Sequence, residues 1–83
     1  MEKTLAYLRE SLSNHIEYNH VSKGIYEKLE RKEYKGEGEF VRDLSEEETV
    51  VLNKILRAEI DYARDELDAE RAKELNEVYE LLF

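Results

Sequence analysis

The two histidines, His15 and His20, titrate closest to neutral pH, so they are the first candidates for catalysis or metal binding. They stand five residues apart, a spacing that does not place both imidazoles on one face of a continuous helix. Glu17 and His20 match the Glu-x-x-His pattern of carboxylate di-iron bundles. Such a site needs a second copy of the pattern and further glutamates from other helices, and the sequence contains one copy. We therefore expect no metal site and attribute the match to the high glutamate content.

Residue types for covalent or phosphate chemistry are also scarce. The chain has no cysteine, which removes thiolate nucleophiles, thiolate zinc sites and disulfides. It contains neither the pattern of a nucleophile elbow nor the glycine-rich loop of a nucleotide-binding protein. The segment Gly36-Glu37-Gly38 is too short and too acidic to hold a phosphate. We therefore expect a protein that is not an enzyme and that has no cofactor.

Charge composition restricts the partners that the chain can bind. Its 83 residues include 21 acidic and 13 basic side chains, so the net charge is −8 at neutral pH. This charge repels phosphate backbones, and we expect no binding to nucleic acid. No apolar run approaches the roughly 20 residues of a membrane span, and the charged first residues do not resemble a signal peptide. We expect a cytoplasmic protein that does not enter the membrane.

Six tyrosines in a chain without tryptophan have two interpretations. Amphipathic rings can edge a core with their hydroxyls in water, or they can form a surface that binds another protein. The apolar segment Leu81-Leu82-Phe83 can likewise dock on its own core or on another subunit. The candidate interaction surface combines both groups: Tyr18, Tyr26, Tyr62, Tyr79, Leu82 and Phe83. Its partner would be an unidentified protein or a second copy in a homodimer.

The apolar side chains of the first segment recur at spacings of three and four, which predicts a helix over residues 3–19. A second apolar stripe begins at Val21, five residues after Ile16, so the two stripes do not align on one helix. We expect a break near residues 19–22, followed by a second helix that ends at about Tyr34.

A glycine-containing linker near residues 35–39 follows the second helix. Gly36 is expected to end that helix in the left-handed conformation that glycine adopts readily. Phe40, Val41 and Leu44 come next, at a spacing that fits one short helical turn with an apolar edge. With no proline and three glycines, the composition favours helices over a strand-rich fold.

The strongest local signal is the pair Ser45 and Glu48, three residues apart, which has the pattern of a capping box. It predicts that a helix begins directly after Ser45. Apolar stripes continue from there to Leu67, and the next apolar position on the stripe comes five residues later. Either Asp68 caps a new helix, or one bent helix extends over residues 46–82, and the sequence leaves both open.

Together these elements predict an all-α fold, a small antiparallel bundle of three or four helices in a single domain of residues 1–83. A chain this short buries only about 60–65% of its unfolded surface, so its core is small, and self-association is one way to stabilise it. The expected core consists of Leu5, Leu8, Leu12, Ile16, Ile25, Leu29, Leu52, Ile55, Leu56, Ile60, Leu67, Leu75, Val78 and Leu82.

Three stretches resemble a small family of Bacillus spore proteins: TLAYLRESLSNH, EFVRDL and LNKILRAEIDYARDELDAERAKELNEVYELLF. These are the sigma-G-dependent sporulation-specific proteins, nominally grouped with the small acid-soluble spore proteins. The resemblance covers nearly the whole chain, is most specific in RAKELNEVYELL and is weakest over residues 17–38. It implies expression in the developing forespore and carries over no catalytic or binding residues. It does not imply the DNA-coating role of the major acid-soluble spore proteins, whose glycine-rich motifs are absent here.

Two functions from different classes fit these observations. The first is a non-enzymatic forespore protein with a structural or protein-interaction role in sporulation, located in the forespore or spore core. The alternative is an acidic regulator, or DNA mimic, that occupies the basic site of a nucleic-acid-binding protein. The net charge and the acidic clusters at residues 46–48 and 65–70 favour the alternative. The resemblance, the tyrosines and the absence of catalytic motifs favour the first.

Overall fold

Five helices make up the part of the chain that the structure, a computed structural model, describes: residues 3–17 and 19–82. In chain order they are α1 (Lys3–Leu12), α2 (His20–Arg31), α3 (Glu37–Arg42), α4 (Glu46–Asp65) and α5 (Ala69–Leu81). These residues contain no strand, so the predicted all-α fold is confirmed. Four longer helices form the bundle, and α3 adds a helix of 6 residues.

The first break in the helical structure comes earlier than predicted. α1 ends at Leu12, and residues 13–17 form turns, so the expected helix over residues 3–19 is too long. The Ser13 hydroxyl donates to the Glu10 carbonyl oxygen at 2.6 Å and thereby offers the backbone an alternative to further helix. Asn19 then begins α2 as its N-cap, with its side-chain oxygen accepting a hydrogen bond from the amide two residues on, at 2.8 Å.

Ile16 was expected in the core but lies in this turn and is half-buried. Its apolar stripe belongs to a helix that has already ended at Leu12, so the side chain no longer faces the same neighbours. The break also precedes the predicted residues 19–22, which instead hold the cap and first turn of α2.

Gly36 does not adopt the left-handed conformation that the sequence suggested. α2 ends at Arg31 and Lys32 is already extended, so the helix needs no left-handed residue at position 36. Gly36 has φ −176° and ψ −179° and serves as the N-cap of α3. The short turn around Phe40 is confirmed, and the Phe40 ring is fully buried with its centroid 5.4 Å from that of Tyr34, in an edge-to-face arrangement.

The capping box at the start of α4 is confirmed in both directions. The Ser45 hydroxyl oxygen accepts a hydrogen bond from the Glu48 amide at 3.1 Å. The Glu48 carboxylate accepts one from the Ser45 amide at 2.8 Å. Two amides that the helix itself leaves unpaired are thus satisfied by a local pattern of four residues.

The second half of the chain forms two helices rather than one bent helix, and Leu67 marks the corner between them. The Asp68 amide donates to the Ala63 carbonyl at 2.8 Å and the Leu67 amide to the Arg64 carbonyl at 3.1 Å. This pair of bonds is a Schellman motif, which requires a left-handed residue at its turn. Leu67 has φ 59° and is 89% exposed, so its predicted place in the core is wrong. Asp68 caps the new helix by accepting from the Arg71 amide at 3.1 Å.

The core lies where α5 meets the other helices. α5 packs most extensively against α4 and also contacts α1 and α3, while α2 packs against α1 and α4. The remaining predicted core residues are buried, and Phe40, Ala63 and Ala72 join them. The buried apolar side chains are Leu5, Leu8, Leu12, Ile25, Leu29, Phe40, Leu52, Ile55, Leu56, Ile60, Ala63, Ala72, Leu75, Val78 and Leu82.

The substitution Ser45→Ala is expected to lower the free energy of unfolding by about 0.5–2 kcal/mol, because the Glu48 amide loses its acceptor. The double substitution with Glu48→Ala should cost less than the sum of the two single ones, since the two hydrogen bonds support each other. Urea unfolding followed by circular dichroism measures both effects. Ser13→Ala is the control, because the exposed Ser13 hydroxyl caps no helix start. If Ser45→Ala and Ser13→Ala lowered the free energy of unfolding equally, the prediction would be contradicted.

The substitution Leu67→Gly is expected to raise the free energy of unfolding by about 1 kcal/mol. A left-handed backbone costs a leucine roughly 1–2 kcal/mol, and the greater freedom of glycine in the unfolded chain offsets part of that gain. Val50→Gly removes another exposed apolar side chain from a regular helical position and should lower stability by about 0.3–0.5 kcal/mol, the difference between the helix propensities of valine and glycine. If both variants were destabilised alike in urea unfolding, the left-handed conformation of Leu67 would be refuted.

Candidate interaction surface

The six residues of the candidate interaction surface lie in different environments. Tyr62 on α4 is 61% exposed, whereas Tyr26 on α2 and Tyr79 on α5 are half-buried against the core. Leu82 is 7% exposed and belongs to the core cluster, so its side chain is already covered by its own chain. Tyr18 and Phe83 lie outside the described residues. Tyr62 is therefore the one residue of the set, within the described part, whose side chain is largely free to contact another molecule.

The two histidines do not form a site together with Glu17. Glu17 lies in the turn after α1, whereas His20 is the first residue of α2, so the Glu-x-x-His pattern does not occupy one helix face. The His15 Nε2 atom is 3.7 Å from a carboxylate oxygen of Glu59, which is too far for a hydrogen bond. Among residues 3–17 and 19–82, no group of three or more potential ligands could hold a metal ion.

One polar network joins α2 to the start of α4. The Lys28 ammonium donates to the Glu48 carboxylate at 2.7 Å and to the Asp43 carbonyl oxygen at 2.8 Å. The Asp43 carboxylate accepts from Lys32 at 2.8 Å and from the Tyr34 hydroxyl at 2.7 Å. These charged groups hold the α3–α4 connection against α2, so they do not converge on an open site.

The network shifts the pKa values of its members. Hydrogen bonds from Lys32 and Tyr34 lower the pKa of the Asp43 carboxyl. Burial alone would raise the pKa of Glu48, but the hydrogen bonds from Lys28 and from the Ser45 amide outweigh it, so the pKa is lowered. For Tyr34, burial and then the bond to the Asp43 carboxylate raise the pKa of the hydroxyl.

A second network, centred on Arg71, joins α5 to α1. Its guanidinium donates to the Glu10 carboxylate at 2.7 Å, to Asp68 at 3.2 Å and to the hydroxyl of the buried Ser11 at 3.3 Å. The same guanidinium carbon lies 5.4 Å from the centre of the Tyr7 ring, within the range of a cation–π contact. No local pattern in the sequence marks Arg71, because its partners on α1, Ser11 and Glu10, are 60 and 61 residues away in sequence.

The two most exposed of the large apolar side chains in the described residues, Tyr62 and Leu67, lie where α4 ends, with the exposed carboxylates Asp65 and Glu66 between them in sequence. We call these four residues the exposed corner. A hydrogen bond from the Tyr62 hydroxyl to Glu66 raises the pKa of Tyr62. The sequence contained a signal that Leu67 is exposed. It stands directly before Asp68, which caps α5, and a residue in that position falls between two helices, where few side chains cover it.

A cavity of about 540 Å³ lies beside the exposed corner, and Tyr62 lines both. Its other walls come from α1, α4, α5 and the adjoining turns, and carboxylates are the commonest charged groups in them. The lining residues are Glu10, Asn14, Glu59, Tyr62, Asp68 and Arg71. The Arg71 guanidinium already binds two of these carboxylates, those of Glu10 and Asp68, so the cavity is not a free site for a cation.

Comparisons with known proteins identify the family. A family model described as "CsgA: Minor curli fiber component A" matches residues 1–83. The "Sigma-G-dependent sporulation-specific SASP protein" of Bacillus subtilis (strain 168) is 57% identical over 82 residues, which cover 99% of this chain and 99% of that protein. The chain therefore belongs to the family of the sigma-G-dependent sporulation-specific SASP protein. The resemblance found in the sequence is thereby confirmed, and no solved structure matches the chain.

Among the described residues, none of the helices is both long enough and apolar enough to cross a membrane.

Stability is expected to fall in acid because two carboxyls of the α2–α4 network have lowered pKa values in the folded state. Their contribution is present above the ordinary carboxyl pKa of about 4 and is lost as the pH falls through the lower folded value. The melting temperature should therefore drop between about pH 5 and pH 2, and less steeply in Glu48→Gln than in the unchanged protein. Glu47→Gln, an exposed neighbour in the same turn, is the matched control, and identical slopes in the two variants would contradict the account.

Proposed function

We propose that this chain is a small non-enzymatic protein of the developing forespore that acts by binding another protein during sporulation. The observation that carries the proposal is the 57% identity to a sigma-G-dependent sporulation-specific protein over 99% of both chains. The description of the family model names a fiber component instead. The relative carries more weight for the function, because its name states when that protein is made.

The polar contacts of the described residues support a binding role over a catalytic one. Lys28, Asp43 and Glu48 are engaged with one another across α2 and α4, and Arg71 is engaged with α1. A catalytic site needs an acid, a base or a nucleophile that converges on open space with a partner to orient it. The two networks instead fasten one helix to another. Location in the forespore cytoplasm or the spore core follows from the relative and belongs to the same proposal.

The alternative, an acidic mimic of nucleic acid, depends on carboxylates that are free to replace phosphates. Several of the acidic residues in the two sequence clusters are paired internally: Glu48 with Lys28, Asp68 with Arg71 and Glu70 with Lys3. These pairs leave the net charge at −8, but they remove three carboxylates of the two clusters from the set that could replace phosphates. A protein-binding role that uses both apolar and acidic groups fits these contacts better. Formation of a homodimer stays a prediction, and Leu82 cannot contribute to it without leaving the core.

A pull-down with the tagged full chain from sporulating cells separates the two functions. A binding protein should recover the same partner at low salt and at about 0.5 M salt, because apolar contacts survive screening. A mimic should recover DNA-binding proteins that dissociate as salt is added. The purified chain should in addition not shift duplex DNA at physiological salt, and saturable DNA binding with a steep salt dependence would overturn the proposal.

A further inference from the structure

Leu67 combines two properties that rarely occur together. It is 89% exposed, the highest value among the exposed large apolar residues described. It is also the one non-glycine residue with positive φ in the described part of the chain. A bulky side chain in this conformation is a strained feature, and such features are informative when nothing inside the protein explains them.

Nothing in the packing of residues 3–17 and 19–82 explains why leucine occupies this position. The Schellman motif at the end of α4 needs a left-handed residue, and glycine or asparagine satisfies that need with less strain. Burial of the leucine side chain does not offset the energy of this strain, because almost all of the side chain faces solvent. Strain of this kind persists where the side chain serves a purpose outside the fold, typically at binding sites.

The surroundings of Leu67 define what could bind there. Residues 65–70 contain four acidic side chains; Asp68 and Glu70 are paired with Arg71 and Lys3, so Asp65 and Glu66 carry the negative charge that remains next to Leu67. Tyr62, 61% exposed, stands near the end of the same helix. The adjoining cavity of about 540 Å³ has Glu10, Glu59, Asp68 and Arg71 in its walls, and the Arg71 guanidinium already binds Glu10 and Asp68. The apolar side chain of Leu67 is therefore flanked by two other exposed carboxylates, Asp65 and Glu66.

We propose that the exposed corner docks on a partner protein that offers an apolar groove rimmed by Lys or Arg. Leu67 fills the groove, Tyr62 packs at its edge, and basic side chains on the rim of the groove pair with Asp65 and Glu66. A second copy of this chain is a poor occupant, because a symmetric contact would bring two acidic corners together. This inference rests on the proposed protein-binding function and assigns the surface and the chemistry of the partner.

Titration of the ¹⁵N-labelled full chain with a helical peptide of leucine and lysine tests the proposal. The peptide carries an apolar stripe between rows of lysines, and a peptide with glutamate in place of lysine is the charge control. We expect saturable changes in the amide resonances of residues 62–71 with the lysine peptide and none with the glutamate peptide. The Leu67→Gly variant, which suits the turn, should bind at least tenfold more weakly.

Val50→Ala is the matched control, because Val50 is also exposed and also lies close to acidic residues, Glu46 to Glu48, but stands on a regular helix. It should bind within about twofold of the unchanged protein. The proposal is overturned if Leu67→Gly and Val50→Ala bind equally, if resonances change mainly around residues 46–50, or if the glutamate peptide binds as well. A circular dichroism melt of each variant establishes that the fold is retained.

The failure of this inference and the failure of the proposed function give different results. If Leu67→Gly still recovers the same partner from sporulating cells at high salt, the chain binds a protein through another surface, and only the assignment of the exposed corner is wrong. If the unchanged chain recovers no partner while the lysine peptide still binds at residues 62–71, the surface exists and the sporulation role as a protein binder is wrong.

Discussion

The left-handed turn at Leu67 is the constraint on which the rest of the fold depends. It directs α5 back along α4, and α5 is the helix that contacts α4, α1 and α3. If α4 continued straight, its 20 residues and those of α5 would form one long helix with an apolar side that nothing in so short a chain could cover. The core leucines at 75 and 82 are fully or nearly buried only because this turn brings them against the other helices.

Side-chain pairs over long sequence distances secure the arrangement that the turn creates. Arg71 ties the start of α5 to α1, and the Thr4 hydroxyl donates to Glu74 at 2.6 Å one turn further along. Lys28 secures α2 to the start of α4 by binding the same glutamate that completes the capping box. The four residues of the exposed corner take no part in these contacts.

Local patterns in the sequence predicted the structure wherever neighbouring residues decide it. Ser45 and Glu48 interact over three residues, so their capping box could be recognised without any knowledge of the fold. The stripes of leucine and isoleucine also identified most of the core, since helical spacing alone places them on one face. The all-α class followed from the same periodicity and from the lack of proline.

The predictions from sequence were wrong where distant contacts or an unusual backbone conformation determine the structure. Gly36 was assigned to a helix end because glycine favours such ends, but α2 had already ended at Arg31. Leu67 continues the apolar stripe of α4 in sequence, yet the turn that α5 requires rotates it into solvent. Arg71 could not be recognised as the centre of a network, because only the folded chain brings it to Glu10 and Ser11. Tyr62 was therefore named in the candidate interaction surface, whereas Leu67 was assigned to the core.

A distance between spin labels on α4 and α5 tests this account most directly. The chain has no cysteine, so Glu47→Cys and Glu80→Cys, both at exposed positions, introduce a unique pair of labelling sites. A continuous helix would separate these positions, 33 residues apart in sequence, by about 50 Å. The folded-back arrangement requires a backbone separation within the molecule's longest dimension of 30 Å. A distance distribution centred well below 50 Å in double electron–electron resonance is predicted, and a single peak near 50 Å would contradict the turn at Leu67 and the account built on it.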